Sequence, residues 1–546
     1  KEWDVPSFDD KGWRKVSLTN APAAHIVSQQ MTPIRKIKIE EVSAENVKRL
    51  NDSTYVFDFG QNMAGITEFA VQGERDTEVR IAHGERLAPD GHVHMGNINK
   101  FYGGDKVKEP FGTDIYWLSG GNDRYASTFS YKGFRYAEVK SSKPINLTAE
   151  SLTAWRTNTD MTPVGSISSS NPLLGKIMDA TRAAYLSNFV GYPTDCPHRE
   201  KNGWTADAAL SCEAALINFN PERNYREWMR NIRKAQSDVG SLPGIVPTGG
   251  WGFAWGNGPA WDCVLVYLPY FTYLWRGDTA MAAESVEAFM AYLKYLRTRV
   301  DEKGLLHIGL GDWCHTEVKK PQAPLAVTDT IVSMDIANKM AVLLEAVGKT
   351  AEAEYARSEA GLYREAIRAH LVNFDTMLVA GECQTSQAMA LYYGVFNEDE
   401  KKAAFEKLLA LIAECDDRMD LGVLGGRVLL HLLAEYGHAD LAWKMAVEQG
   451  HPSYGDLARR GATTLWESFY PAGAHWGPPS LNHHFWGDIS AWFIKAVAGI
   501  SVSPAGGELV CEIKPAFVTA LEDASAYHVT PVGKIASAWK REGDEI

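Results

Sequence analysis

The chain has 546 residues, of which 45% are hydrophobic and 23% charged, and it carries a net charge of −13. This is the composition of a globular protein too long for one ordinary core, and its acidic balance argues against nucleic acid, whose binders concentrate positive surface. There is no run of about 18 apolar residues, so no membrane span is expected.

The opening residues, KEWDVPSFDDKGWRKV, hold no apolar signal-peptide core and begin inside a loop-rich, Trp-containing pattern. Residues 1–35 are therefore expected to be the tail of an upstream β domain, and a chain read as a fragment is silent on export. Up to residue 160, short apolar or alternating runs such as TYVFDFGQNMAGITEFAVQG and STFSYKGFRYAEVKSS are broken by Gly, Asp and Asn. That spacing predicts an antiparallel β-sandwich over 36–160. The period then changes. Asn171 before Pro172 opens a helix, and Leu173, Leu174, Ile177, Met178, Thr181 and Tyr185 follow at helical spacing. Further helices are predicted over 206–218, 222–237, 262–275, 278–300, 327–346, 350–370, 385–394, 398–414, 422–436, 438–448 and 487–499. A series of about twelve helices joined by long Gly-, Pro- and Trp-rich loops suits six hairpins closed into a ring over 161–500. Residues 501–546 return to β and predict the start of a C-terminal β-sandwich, cut short.

Seven cysteines lie far apart without a CxxC pair, which disfavours a zinc site or a disulfide framework. The seventeen tryptophans are more informative. Trp251, Trp255, Trp261, Trp313, Trp466, Trp476 and Trp486 sit in segments poor in aliphatic residues, and aromatic faces pack against the C–H faces of sugars. Core filling is the competing reading. It is weakest for GGWGFAWGNGPAWD, where glycine leaves little around the rings.

Two stretches carry the chemistry. YPTDCPHREKNGWTADA, residues 192–208, gathers Asp195, Arg199, Glu200 and Asp207 where Pro193, Pro197 and Gly203 exclude regular structure. Thr205 is placed to cap the next helix, with Asp207 in its first turn. Ordinary roles exist for each residue: an Asx-turn for Asp195, an ion pair for Arg199, a solvated loop position for Glu200, helix-dipole stabilisation for Asp207. His198 reads as structural. Downstream, GATTLWESFYPAGAHWGPPSLNHHFWGD places Glu467 between Trp466 and Ser468. Two carboxylates in unequal environments are what glycosidic hydrolysis needs, one protonated to help the leaving oxygen depart and one ionised. The residues alone support such a pair without fixing which is which.

TDCPHREKNGWTADA, GDW at 311–313, PSYGDLARRGATTLWES and SLNHHFWG together resemble the α-L-rhamnosidases of glycoside hydrolase family 78. FDFGQNMAGI and YKGFRYAEV resemble the β domain preceding their barrel. The resemblance spans essentially the whole chain. It implies an (α/α)6 barrel flanked by β-sandwich domains and an inverting exo-hydrolase that releases terminal α-L-rhamnose with no metal or other cofactor. The implied partner is a rhamnose-containing oligosaccharide, polysaccharide or plant glycoside. By motif position, Glu200 matches the general acid and Glu467 the general base. Asp195, Arg199 and Asp207 match positions that hold sugar hydroxyls, Trp204 and Trp313 match aromatic walls, and Asp262 and His483 match further pocket positions. The sequence departs from the family pattern twice. EKN after Arg199 is one residue shorter than the commoner form, and NHHFWG replaces a commoner Tyr-Ala-Phe after the histidine. Competing functions are a polysaccharide lyase using Tyr192, His483 and Arg199, a sugar-binding relative without turnover, and a glycosidase for another deoxy or neutral sugar.

Overall fold

The computed structural model describes residues 5–20, 25–38, 46–99, 102, 111–470, 479–543 and 545–546. Its N-terminal part is an antiparallel sheet organised around one long strand, Thr54–Gln72. That strand pairs with Val47–Asn51, Lys132–Ser141, Leu152–Thr159 and Asn122–Ala126. Glu78–Gly84 and Thr113–Trp117 extend the sheet on one side, and Ile34–Lys38 extends it on the other. Alternation in Thr54–Phe59 and Met63–Phe69 turns Phe57, Met63 and Phe69 inward onto Phe134 and Val139. Between Asp58 and Met63 the register slips. At this irregularity Gly60 takes φ 75°, and Asn62 beside it meets Thr463 and Leu481 of the helical part.

The middle of the chain is helical, close to the predicted spans. Asn171 caps Pro172–Ser187 by accepting from the Leu173 N–H at 3.0 Å. Thr205 does not cap the next helix. Trp204 occupies the cap position of Thr205–Asn218, and the Thr205 hydroxyl donates to the Gly244 carbonyl at 3.0 Å. All residues of Thr205–Asn218 are buried, whereas Glu222–Ala235 buries one stripe of Tyr225, Trp228, Met229 and Ile232. A helix buried all round belongs to an inner layer and an amphipathic one to an outer layer. Inner neighbours follow in order: Thr205–Asn218 against Val264–Arg276, then Leu325–Ala346, Gln384–Tyr392, Val423–Glu435 and Ile489–Trp492, which returns to Thr205–Asn218. Thr350–His370, Glu398–Glu414 and Ala439–Val447 fold back on their inner partners. A short helix absent from the sequence prediction, Tyr454–Arg459, is capped by Ser453, whose Oγ accepts from the Asp456 N–H at 2.9 Å.

Two C-terminal hairpins follow, Ile500–Ala505 with Glu508–Ile513 and Asp523–Thr530 with Gly533–Lys540. Gly165–Ser168, within the stretch expected to start the helical unit, pairs with Asp523–Thr530. No helix among the described residues is long and apolar enough to cross a membrane.

Candidate active site

Both carboxylate stretches form loops at the same end of the helical layer. The first is closed on itself: the Asp195 N–H donates to the Asn202 carbonyl at 3.0 Å, and Asp195 Oδ1 accepts from the Asn202 N–H at 2.8 Å. Lys201 takes φ 55° to complete the turn. The second runs as two adjacent segments, with the His483 N–H on the Leu465 carbonyl at 2.9 Å and the Glu467 N–H on the Ser480 carbonyl at 3.0 Å. His484 ties the loops together, meeting Ser211 Oγ at 2.7 Å and the Thr194 carbonyl at 2.9 Å.

Between the loops lies a cavity of about 450 Å³. Asp195, Arg199, Glu200, Asp207, Glu467 and His483 all line it. Arg199 is its centre: Nη2 donates to Glu467 Oε2 at 2.8 Å, and Nε stands 3.6 Å from Glu200 Oε1. One guanidinium thus faces both carboxylates brought forward by the sequence. Glu467 Oε2 also accepts from the Ser480 N–H at 2.8 Å. Glu200 Oε2 accepts from Trp204 Nε1 at 3.0 Å. Burial lowers the proton affinity of Arg199, but the charges of Glu467 and Glu200 oppose it and the group is held firmly cationic. Burial pushes the carboxyls of Asp195 and Asp207 well above their usual range, and the charge of Glu200 adds to the effect in both. Asp207 Oδ1 is buried and accepts no hydrogen bond among the described residues, which leaves an acceptor facing the site.

Trp204, Trp251, Trp255, Trp261 and Trp313 form the aromatic wall. Trp204 meets Trp255 edge-on at 5.4 Å between ring centres, and Trp251 leans on Trp255 at 5.5 Å. Gly256 makes this packing feasible, since a Cβ there would lie 2.4 Å from a Trp204 ring carbon. Trp313 is anchored through its neighbour. Asp312, fully buried, accepts from Thr385 Oγ1 at 2.5 Å and from the N–H groups of Gly422 and Leu424 at 2.7 and 2.8 Å, which caps Val423–Glu435.

The other expected positions differ. Asp262 does not line the cavity. Its carboxylate is fully buried, Oδ2 accepts from the Tyr292 hydroxyl at 3.0 Å and the Gly258 N–H at 3.1 Å, and the adjacent Trp261 takes the wall position. Burial pushes Asp262 up to about 8 against those two donors. Trp466 lies outside the main cavity, stacked under Arg460 at 4.6 Å, and Trp476 lies outside the described residues. Trp486 is buried and donates to the Glu467 carbonyl at 3.2 Å. His198 is buried against Asn97 of the sheet domain, with 3.2 Å between their nitrogens, in keeping with a structural role.

Sequence reasoning missed Tyr102, which lines the cavity from the sheet domain and donates from its hydroxyl to the Arg199 carbonyl. No periodicity or motif spacing signals it. For a metal, Asp195, Cys196 and His483 bring one ligand atom each within 4.8 Å of one another. Cys196 Sγ already donates to Asp195 Oδ2 at 2.8 Å, and burial beside Asp195 keeps the thiol protonated, which makes it a poor ligand.

Residues 162–497 match the bacterial alpha-L-rhamnosidase 6 hairpin glycosidase domain, and residues 48–158 match the bacterial alpha-L-rhamnosidase concanavalin-like domain. The chain belongs to the α-L-rhamnosidases of glycoside hydrolase family 78. It is 31% identical to the alpha-L-rhamnosidase of Streptomyces avermitilis, over 99% of this chain and 51% of that protein. The structure of the alpha-L-rhamnosidase from Dictyoglumus thermophilum superposes with a TM-score of 0.88 at 29% identity, covering 100% of this chain and 60% of that one. The Streptomyces avermitilis rhamnosidase complexed with L-rhamnose gives 0.87 at 28% identity, covering 99% and 51%. The chain spans between half and three-fifths of the length of these relatives.

Proposed function

We propose that the chain is an inverting exo-glycoside hydrolase that releases terminal α-L-rhamnose from oligosaccharides, polysaccharides or plant glycosides. In this reading the helices of 161–500 close into an (α/α)6 barrel, with β-sandwich domains over 36–160 and from 501 onward and an upstream tail over 1–35. The ordered return of inner helices to their starting point supports closure.

The observation that carries the proposal is the Arg199 guanidinium standing between Glu200 and Glu467 beside a tryptophan wall. A 6-deoxy sugar needs an apolar surface for its C5 methyl, which the indoles supply, and partners for its hydroxyls, which Asp195, Asp207 and Arg199 supply. Glu467, held by Arg199 and the Ser480 N–H, has the donor set of an ionised carboxylate and takes a proton from the attacking water. Glu200, held by Trp204, gives its proton to the departing glycosidic oxygen. Water then attacks the face opposite the leaving group, which requires carboxyl groups about 6.5–9.5 Å apart. A guanidinium set between the two supports such a spacing.

Nitrophenol release from 4-nitrophenyl α-L-rhamnoside by wild type, Glu200→Gln and Glu467→Gln tests the assignment. Each substitution is expected to lower kcat by roughly 10²–10⁴-fold, and proton NMR of the first-formed sugar should show the β anomer. Rhamnose binding without turnover in the wild type would identify a sugar-binding protein, and full activity in either variant would remove that residue from its role.

A further inference from the structure

The sheet domain reaches both carboxylate loops, and one buried side chain touches both. Glu85 follows directly on the strand Glu78–Gly84 and is 5% exposed. Its Oε2 accepts from the Leu481 N–H at 2.8 Å. The preceding N–H, that of Ser480, is the one bound to Glu467. The same Oε2 lies 3.5 Å from His198 Nε2, two residues before Glu200. Oε1 accepts from Asn62 Nδ2 at 2.9 Å, and Asn62 in turn reaches the Leu481 carbonyl at 3.2 Å and, through its backbone N–H, Thr463 Oγ1 at 2.9 Å.

We propose that Glu85 is a positioning residue that fixes the separation of Glu200 and Glu467, so that the sheet domain is part of the catalytic apparatus. The proposal rests on the hydrolytic reading above. A carboxylate suits the place because Leu481 and Asn62 both present donors, and an amide would set its own NH₂ against one of them. Burial pushes the Glu85 carboxyl up, while the Leu481 N–H and Asn62 oppose it. Burial holds His198 well below its usual range, so that contact is with a neutral imidazole and is not an ion pair. The rest of the interface is built to the same end. A Cβ on Gly133 would lie 2.5 Å from the His198 nitrogen, so only glycine lets the sheet approach this closely. Lys201 donates to the Tyr131 carbonyl at 2.5 Å, and Arg86 donates to the Pro479 carbonyl. Sugar-contacting groups such as Asp207 and Trp313 are held within the helical domain itself, by Thr205–Asn218 and the Asp312 cap, and do not depend on Glu85.

Glu85→Ala and Glu85→Gln separate these roles. In Glu85→Ala, kcat on 4-nitrophenyl α-L-rhamnoside is expected to fall by about tenfold to a hundredfold, the loss typical of a displacement near 1 Å. Calorimetric affinity for free L-rhamnose falls by much less than kcat, because Asp207 and Trp313 keep their places while Asp195 and Arg199 loosen with their loop, and amide exchange accelerates in 194–202 and 479–483 together. Glu85→Gln, which keeps one acceptor, recovers part of kcat and carries the same test should the alanine variant not fold. Unchanged kcat, or kcat and rhamnose affinity falling by the same factor together with the melting temperature, would overturn the proposal. If the wild type hydrolyses no rhamnoside, the hydrolytic reading fails by itself. Faster exchange in both loops would then still support the positioning role, and unchanged exchange would refute it.

Discussion

Replacing Arg199 with methionine removes the group on which the site is centred while keeping a side chain of similar length. Among the described residues that line the cavity, Arg199 is the only cation, facing Asp195, Glu200, Asp207 and Glu467. Its bond to Glu467 is 2.8 Å long, between side chains only 7% and 18% exposed. A hydrogen bond to a charged group contributes about 1.5–3 kcal/mol, and removing one partner of a buried pair costs about 3–5 kcal/mol. The residual exposure of Glu467 and its remaining Ser480 donor place the loss near the lower figure, about 3 kcal/mol. Since 1.36 kcal/mol is tenfold in rate, kcat/KM for 4-nitrophenyl α-L-rhamnoside should fall by roughly a hundredfold. Arg199→Lys keeps the charge but not the planar fork, so it can face only one carboxylate and should recover part of the activity. A methionine variant with wild-type kcat/KM would refute the reasoning. A lysine variant equal to wild type would show that charge alone matters.

Asp312→Ala leaves the N–H groups of Gly422 and Leu424 and the Thr385 hydroxyl without their acceptor, and should destabilise the helical domain by about 2–4 kcal/mol. Calorimetric melting reads the stability, and a raised KM would report the displaced Trp313 wall. Asp262 titrates at about 8 when folded and near 3.9 unfolded, so the folded state binds the extra proton between those values. Its contribution to stability is full below about pH 4 and is lost as pH rises through about 8. Urea midpoints of Asp262→Asn should lack that decline, and a slope equal to wild type would assign the pH dependence elsewhere.

Local patterns carried the secondary structure far. The apolar spacing of Leu174, Ile177, Met178 and Tyr185 and the Asn171–Pro172 start give the helix Pro172–Ser187, because both period and cap are properties of neighbouring residues. Tyr454–Arg459 escaped prediction because six residues make under two turns and show no period. The Asp262 expectation failed by a single step along the chain. One residue rotates the side chain by about 100° on a helix, which turned Trp261 to the cavity and Asp262 to Tyr292.

By itself, the sequence determined which residue types stand in the two loops and that helices alternate with glycine- and tryptophan-rich connections between two β regions. The tertiary structure alone decided that Arg199 joins Glu467 across 268 residues of chain, and that Glu85 meets Leu481 across 396. Contacts so far apart leave no periodic trace in the chain. They are set by where the packed helical and sheet layers bring their loops together.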